Sequence, residues 1–350
     1  MDTNINISTI NKYFSLKKEK QTCNNRTKIV NHSHFSINEA NICHKISEIP
    51  YYSNFFSILD DYDSLNISQL NEDIIEKLKP DEDMKYYLFK YTDKNSIDFI
   101  DFLYNFTSIK KLIFDVINAF QHLLSGFHLL NQNNICFFNI SPKNIIFLEN
   151  YREKPVLSNF IFSLQINRLD FNYFANILNK LDNFTYQPFE VHILYYFIKY
   201  DLTTISHSFI EEFCENFIKN LNILRLFSED YKKLYKEKCF ETMKKYINLP
   251  KKQIIDDILE RNNKWDVYGI SMIFIQLFGC ISGIFSLKGT FVSKITLELS
   301  KNLHPDSDKR LSLEDTLKIF NKLLNEQEDW KFINNLKNSK LENLFDEFAK

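Results

Sequence analysis

The sequence predicts an α+β fold in two parts, a small strand-containing N-terminal part and a large, mainly helical C-terminal part. Two patterns support this prediction. Residues 1–91 hold short runs rich in β-branched and aromatic residues, and from about residue 110 apolar residues recur at helical spacing. Hydrophobic residues make up 44% of the 350-residue chain and charged residues 25%, a composition typical of a globular protein with a sizeable core.

The N-terminal part combines β-favouring runs with one helical stretch. The runs are residues 28–30, 55–59 and 86–91, and the helical stretch is residues 37–46. None of the five glycines of the protein precedes Gly126. This part therefore has no glycine-rich turn.

A long helix and a polar loop follow. Apolar residues draw one helical stripe through residues 110–130, and the sequence predicts an amphipathic helix there. The next segment, ICFFNISPKNIIFL (residues 135–148), places a polar stretch between two apolar runs. Residues 145–148 and 156–157 are β-favouring and are separated by the polar turn 149–154, which predicts a short hairpin.

The C-terminal part returns to helical patterns. Residues 200–262 mix charged and apolar positions and predict added helices. Residues 267–287 carry no charge and are long enough to cross a bilayer, but three glycines interrupt them, which favours a buried core helix. Ser312 precedes Asp315 by three residues, a pattern typical of a helix N-cap.

Composition excludes several classes of function. The net charge of −2 gives no general electrostatic reason to expect nucleic acid or an anionic membrane as a partner. The six cysteines are scattered and form no CxxC pair, so we expect reduced thiols rather than a zinc site or a disulfide framework. The N-terminal residues lack a basic stretch followed by an apolar one, the mark of a secretory signal. We therefore expect a cytoplasmic protein without a membrane span.

The polar loop and its hairpin resemble motifs of the protein kinase superfamily. ICFFNISPKNIIF is similar to the catalytic loop H-R-D-L-x-x-x-N, with Asn139 at the position of the catalytic Asp and Asn144 at that of the metal-binding Asn. Ser141 stands where many kinases carry a lysine. VLSNFIFS, residues 156–163, resembles the strand that leads into D-F-G, with Asn159 in place of the Asp.

Four more strings resemble kinase motifs in the family order, between about residues 84 and 320. MKYYLFKYTDKNSIDFIDFL resembles the fifth strand and the hinge, and YQPFEV carries Glu190 at the glutamate of A-P-E. WDVYGISMIF resembles the start of the central helix, with Asp266 as its aspartate, and in KRLSLEDTL Arg310 stands at the arginine that pairs with the A-P-E glutamate. The Phe-Glu-Val-His block around Glu190 also resembles kinase-like proteins of large cytoplasmic DNA viruses.

The resemblance implies a bilobal protein-kinase-like fold. Residues 1–91 would form the N-lobe, without a glycine-rich loop, and residues 92–350 the C-lobe, with the catalytic-like loop at 135–148 and a helical insertion at about 200–262. Glu190 and Arg310 are expected to form a buried ion pair, and Asp266 to accept hydrogen bonds from the loop backbone.

The same resemblance implies that charges essential to catalysis are missing. The amide of Asn139 is not a base near neutral pH, and loss of a general base costs about 10²–10⁴ in rate. Asn159 offers Mg²⁺ a neutral oxygen in place of a carboxylate, so we expect weak metal binding. Asn144 either ligates metal or braces the loop by hydrogen bonding, and the sequence leaves both open.

The nucleotide-binding residues are less well defined. Lys28 and Glu39 are candidates for the lysine–glutamate pair of kinases, and Lys20 serves as well on spacing. Phe89 and Tyr91 bound the predicted hinge. With no glycine-rich loop to approach the phosphates, we expect binding of ATP and Mg²⁺ to be weak or absent.

The leading hypothesis is a pseudokinase, a binding, allosteric or decoy module in signalling that acts on protein partners the sequence does not name. One alternative is a weakly active or atypical ATP-dependent Ser/Thr kinase. The other is an interaction scaffold that binds no nucleotide. The resemblance to viral proteins implies the cytoplasm of a host cell as the location, and the oligomeric state is not predicted.

Overall fold

The computed structural model describes residues 25–65, 85–92, 96–104, 109–148, 151–166, 169–181, 184–284 and 290–325. Lys20 lies outside these residues. The elements of the N-terminal part are β1 (Asn25–Asn31), α1 (His34–Ser47), β2 (Phe56–Ser57), β3 (Asp61–Leu65) and β4 (Tyr86–Thr92). Strands β1, β4 and β3 form an antiparallel sheet in that order.

Helix α1 starts where the sequence supplies a reciprocal cap. The Ser36 backbone N–H donates to Ser33 Oγ at 3.2 Å, and the Ser33 N–H donates to Ser36 Oγ at 2.9 Å. The helix buries Ile42 and Ile46 in the same core as Val30 of β1. This packing fixes the position of α1 beside the sheet.

A second sheet joins strands from before and after residue 91. Its order is β2, β8 (Tyr151–Ser158), β7 (Ile145–Leu148) and β5 (Ser96–Asp98), and only the β2–β8 pairing is parallel. Strand β8 begins within the turn predicted at 149–154. Two short strands, β6 (Ile135–Cys136) and β9 (Leu164–Gln165), pair on either side of this hairpin.

The remaining described elements are helical. In chain order they are α2 (Phe99–Tyr104), α3 (Ile109–Gln132), α4 (Phe171–Lys180), α5 (Phe189–Lys199), α6 (His207–Asn220), α7 (Glu229–Lys244), α8 (Lys251–Glu260), α9 (Trp265–Ile284), α10 (Phe291–Ser300) and α11 (Leu313–Asn325). The predicted α+β class, with a small sheet-containing part and a mostly helical part, is confirmed. Ser312 Oγ accepts the Asp315 N–H at 2.9 Å and caps α11, as the sequence predicts.

Most of the charge-free segment at 267–287 lies in α9. Val267, Ile270 and Phe274 of this helix are buried against the rest of the protein. Across the described ranges, no helix combines the length and the apolar character needed to cross a membrane.

The region from 200 to 262 is helical, as predicted, and it is built into the core. Tyr235 and Met243 of α7 and Ile258 of α8 are buried in the hydrophobic core that also holds α9. The hydroxyl of buried Tyr235 donates to the carbonyl oxygen of Leu303 at 2.8 Å. These helices are therefore part of the folding unit and not an appendage on its surface.

Candidate functional site

The polar loop predicted from the sequence connects β6 to β7. Its last residues form a single 3₁₀ turn at 142–144, with Pro142 as the first residue of the turn. Ser141 caps this turn, since its hydroxyl accepts the Lys143 N–H at 3.3 Å. The side chain at the position of the kinase loop lysine is thus used for local structure.

Asp266, at the start of α9, holds the beginning of the loop. Its carboxylate accepts the backbone N–H groups of Phe137 at 2.7 Å and Phe138 at 2.8 Å. Phe138 has φ of 61°, a left-handed conformation that a bulky residue adopts only when its surroundings impose it. Burial raises the pKa of Asp266 to about 6, and the two N–H bonds oppose that rise, so the group is ionised at neutral pH.

Three asparagines form a chain of hydrogen bonds across the site. Asn144 Nδ2 donates to the backbone oxygen of Asn139 at 2.7 Å, so its Oδ1 faces the opposite way, toward Asn159. Asn159 Nδ2 donates to that Oδ1 at 3.2 Å. The orientation of each amide follows from its neighbour, because a carbonyl oxygen accepts and cannot donate.

This arrangement does not fit a divalent cation. Mg²⁺ needs oxygens that converge on one point, preferably carboxylates. Between Asn144 and Asn159 the structure places an N–H group that donates to Asn144 Oδ1, so the oxygens of these two side chains do not converge on one point. Asn144 is buried and acts as a brace in this structure, and Asn159 is exposed with φ of 66°, a conformation that Asn tolerates.

The side chain of Asn139, the residue matched to the catalytic Asp, has no hydrogen-bond partner among the described residues. This side chain is half-buried, while the backbone N–H of Asn139 closes a tight turn to the oxygen of Phe137 at 2.7 Å. The amide can orient a nearby hydroxyl group. It cannot take the proton of that group near neutral pH.

Phe137 and Phe138 follow the first two residues of the polar loop, and both are core residues. Phe137 contacts Phe160 edge-to-face with ring centroids 5.2 Å apart, and Phe160 in turn contacts Phe56 at 6.0 Å. On its other side Phe137 contacts Phe127 at 5.8 Å. These four buried rings form a continuous column between the strands and α3.

Phe138 packs into a separate aromatic cluster. Its ring lies 5.2 Å from that of Phe174 in α4 and 5.4 Å from that of Trp265. Gln187 Nε2 donates to the backbone oxygen of Phe138 at 2.9 Å. Apolar packing therefore holds α4 against the loop, and one hydrogen bond holds the residues just before α5 against it.

Glu190 and Arg310 lie together in the C-terminal core. Arg310 donates two parallel hydrogen bonds to the Glu190 carboxylate, at 2.7 Å and 2.6 Å, and both residues are buried. Arg310 also donates to the backbone oxygens of His304 and Pro305. This is the geometry that the sequence predicts for the pair, and it anchors the first turn of α5.

The N-terminal candidates are only partly brought together. Glu39 of α1 is buried and accepts a hydrogen bond from the Tyr91 hydroxyl at 3.4 Å. Lys28 lies on β1 opposite Phe89, whose side chain is buried, and no ion pair joins Lys28 to Glu39 within the described residues. The nucleotide-binding role of these four residues remains a prediction.

Two contacts of the site escaped the sequence-based reasoning. Asn38 of α1 donates to the backbone oxygen of Ser163 at 2.8 Å, which ties the helix to the segment after Asn159. Ser163 Oγ donates to the backbone oxygen of Phe137 at 3.2 Å. Asn38 belongs to no recognisable motif, Ser163 is only the last residue of the string VLSNFIFS, and no local pattern in the sequence indicates these partners.

No protein-family model and no curated protein sequence matches the chain. Among solved structures it is similar to "Titin kinase and its flanking domains", with 11% identity and a TM-score of 0.46 over 93% of this chain and 46% of that one. It is also similar to "Autoinhibited serine kinase domain of the giant muscle protein titin", with 12% identity and a TM-score of 0.44 over 93% of this chain and 78% of that one. The chain thus spans less than half the length of the first structure. At this level of likeness neither structure bears on the activity of the chain.

Proposed function

We propose that the chain is a protein-kinase-like protein without effective phosphoryl transfer, which acts as a binding, allosteric or decoy module on protein partners in signalling. One observation carries this proposal. The amide of Asn159 donates to Asn144 Oδ1, so the two side chains at the metal-binding positions bind each other. Such a pair has no need of a cation and offers it no charge.

The kinase-like part of the proposal rests on contacts that link distant motifs. Asp266 binds the backbone of the loop from 128 residues away, and Arg310 binds Glu190 from 120 residues away. Asn144 and Asn159 meet across the hairpin. Each contact joins two strings that resemble kinase motifs and that lie apart in the sequence.

The loss of activity follows from the chemistry of these side chains. Phosphoryl transfer depends on positioned charge, and metal ions neutralise the charge that develops on the phosphates. Asn139 supplies no general base, which costs about 10²–10⁴ in rate, and the amide pair disfavours the metal. Ser141 is occupied with capping its own turn.

The test is a phosphotransfer assay with purified protein, radiolabelled Mg-ATP and a generic protein substrate. We expect no incorporation above a blank. The proposal is wrong if the protein transfers phosphate rapidly and Asn139→Ala abolishes that transfer while Lys143→Ala, an exposed change in the same loop, leaves it intact. Activity that survives both changes would come from a contaminating kinase and would leave the proposal standing.

A weakly active Ser/Thr kinase is the second candidate, and one observation favours it. The scaffold of the loop is kept, and Asn139 has a side chain that is free, among the described residues, to orient a hydroxyl group. This candidate expects slow transfer whose metal dependence changes in Asn159→Asp. A rate that is the same in both proteins at every Mg²⁺ concentration would exclude it.

A scaffold that binds no nucleotide is the third candidate, favoured by the lack of any glycine before Gly126. A thermal-shift titration with ATP, with and without Mg²⁺, separates it from the other two. Deletion of residues 200–262 is not a usable test of partner binding, because these helices are part of the core. The partners, the cytoplasmic location and the viral origin remain predictions.

A further inference from the structure

A cavity of about 230 Å³ lies away from the polar loop, between α5 and α6. Phe184 and Thr185, in the segment just before α5, line it together with His192 and Tyr196 of α5. The opposite wall comes from α6, the first helix of the region 200–262, and from Leu221 just after it. The proposed kinase-like chemistry does not use this cavity.

The face of α6 that lines the cavity has helical spacing. It presents Phe213, Asn216, Phe217 and Asn220, at steps of three, one and three residues. The two phenylalanines are buried, and the two asparagines are exposed at the rim. The wall is therefore aromatic at its base and polar at its edge.

The aromatic base is held in place by packing of the rings on one another. Phe217 contacts His192 edge-to-face with centroids 5.0 Å apart, and Phe213 contacts Tyr196 edge-to-face at 4.8 Å. Phe184 lies 5.8 Å from His192. A ligand would meet ring faces and edges that are already positioned, which lowers the entropic cost of binding.

The described residues of the lining carry no charge near neutral pH. None of the side chains that the structure describes around the cavity is a carboxylate, a lysine or an arginine. Burial lowers the pKa of His192 to about 4, so its imidazole is neutral at physiological pH. A charged ligand would lose its hydration without gaining a partner charge.

The rim can bind a polar edge. The amide of Asn216 makes no hydrogen bond among the described residues. Asn220 donates its N–H to the Asn216 backbone oxygen at 2.9 Å, which leaves its side-chain oxygen to accept from a ligand. The rim thus offers both a donor and an acceptor.

The size of the cavity limits the ligand to one or two rings. An apolar cavity of about 150 Å³ is enough to hold benzene. The larger volume here suits a substituted single ring or a fused pair of rings. The aromatic lining, its lack of charge and the size of the cavity point to one class of ligand. We propose that this cavity binds an uncharged aromatic ring with a hydrogen-bonding edge, such as a phenol or an indole. The ring belongs either to a free small molecule or to a Tyr or Trp side chain of a partner.

Saturation-transfer NMR on the full chain tests the proposal with matched probes. Phenol and indole should bind. Cyclohexanol, which has the shape and hydroxyl of phenol without the aromatic ring, and benzoate, which adds a charge, should each bind at least tenfold more weakly than phenol. Blocked Trp amide and a capped Gly-Trp-Gly peptide form the second arm. Binding of the peptide as tightly as indole assigns the ring to a partner protein, and binding of indole alone assigns it to a small molecule.

The variant Asn216→Trp places a bulky ring over the mouth of the cavity without removing a core residue. It should weaken the binding of indole at least tenfold, whereas Glu211→Trp, an exposed change on the other side of the same helix, should leave it unchanged. Circular dichroism melting checks that both variants fold. The proposal is overturned if neither phenol nor indole binds, if cyclohexanol or benzoate binds as well as phenol, or if Asn216→Trp binds indole as the unmodified protein does.

Discussion

Changing Asn159 to Asp should convert the amide pair into a weak metal site. In the unmodified protein, Asn159 Nδ2 donates to Asn144 Oδ1 at 3.2 Å. An aspartate of the same size tolerates the left-handed backbone at this position, φ of 66°, but has no N–H to donate. Two oxygens then face each other, which is unfavourable without a cation and favourable with one.

The magnitudes follow from the geometry. Loss of one hydrogen bond to a partly exposed group costs about 1 kcal/mol, which lowers the Tm by about 1.4 °C for a chain of 350 residues. With about 10 mM Mg²⁺ and a site whose Kd is about 1 mM, binding adds about 1.4 kcal/mol of stability. Mg²⁺ should therefore raise the Tm of Asn159→Asp by about 2 °C.

Differential scanning fluorimetry with and without Mg²⁺ measures both effects. Asn159→Gly is the matched control, because glycine accepts the positive φ and removes the hydrogen bond without adding a charge. The control should be less stable than the unmodified protein. Neither the control nor the unmodified protein should gain stability from Mg²⁺. A rise in Tm with Mg²⁺ in the unmodified protein equal to that of the Asp variant would refute the reasoning, as would an Asp variant that does not respond.

Three further predictions concern the groups that hold the site. Arg310→Met leaves Glu190 buried and unpaired, so the free energy of unfolding measured in urea should fall by about 3–5 kcal/mol. Adding Glu190→Gln should restore part of this stability, and no recovery would contradict the pairing. Burial raises the pKa of Asp266 from 3.8 to about 6, so between pH 4 and pH 6 the folded state binds this proton more strongly than the unfolded state. The free energy of unfolding should therefore fall by up to about 3 kcal/mol as the pH rises from 4 to 6. Asp266→Asn should abolish this slope and cost about 1–3 kcal/mol at pH 7, and an unchanged slope would exclude Asp266 as its source. His192 has a pKa lowered by burial to about 4, so stability should fall as pH drops from 6.5 toward 4, and His192→Phe should reduce that fall in urea titrations at each pH.

Where local chemistry decides a structure, the sequence predicted it well. The helix at 110–130 appears as Ile109–Gln132, and the cap at Ser312 forms with Asp315 as expected. Apolar spacing and a side chain that reaches its own backbone are both short-range effects. Strand β3 was missed because its residues, DYDSL, are almost all exposed and carry no apolar alternation.

Long-range contacts were predictable only where both partners belong to strings that resemble motifs of one family. Asp266 with the loop backbone and Arg310 with Glu190 are such cases. Asn38 with Ser163 is not, and neither is the packing of Tyr235 against the segment at Leu303. The burial of the helices at 200–262 was invisible for the same reason, since charge patterning shows which residues are polar and not what the apolar ones contact.

The neutrality of positions 139 and 159 was determined by the sequence itself. An asparagine at 139 and at 159 is neutral in any fold, because an amide does not ionise near neutral pH. Only the tertiary structure decided that Asn159 turns its N–H toward Asn144. The backbone oxygen of Asn139 accepts the side-chain N–H of Asn144 and so orients the Asn144 amide, which in turn orients that of Asn159. These three residues form a chain of hydrogen bonds only because the folded hairpin brings them together.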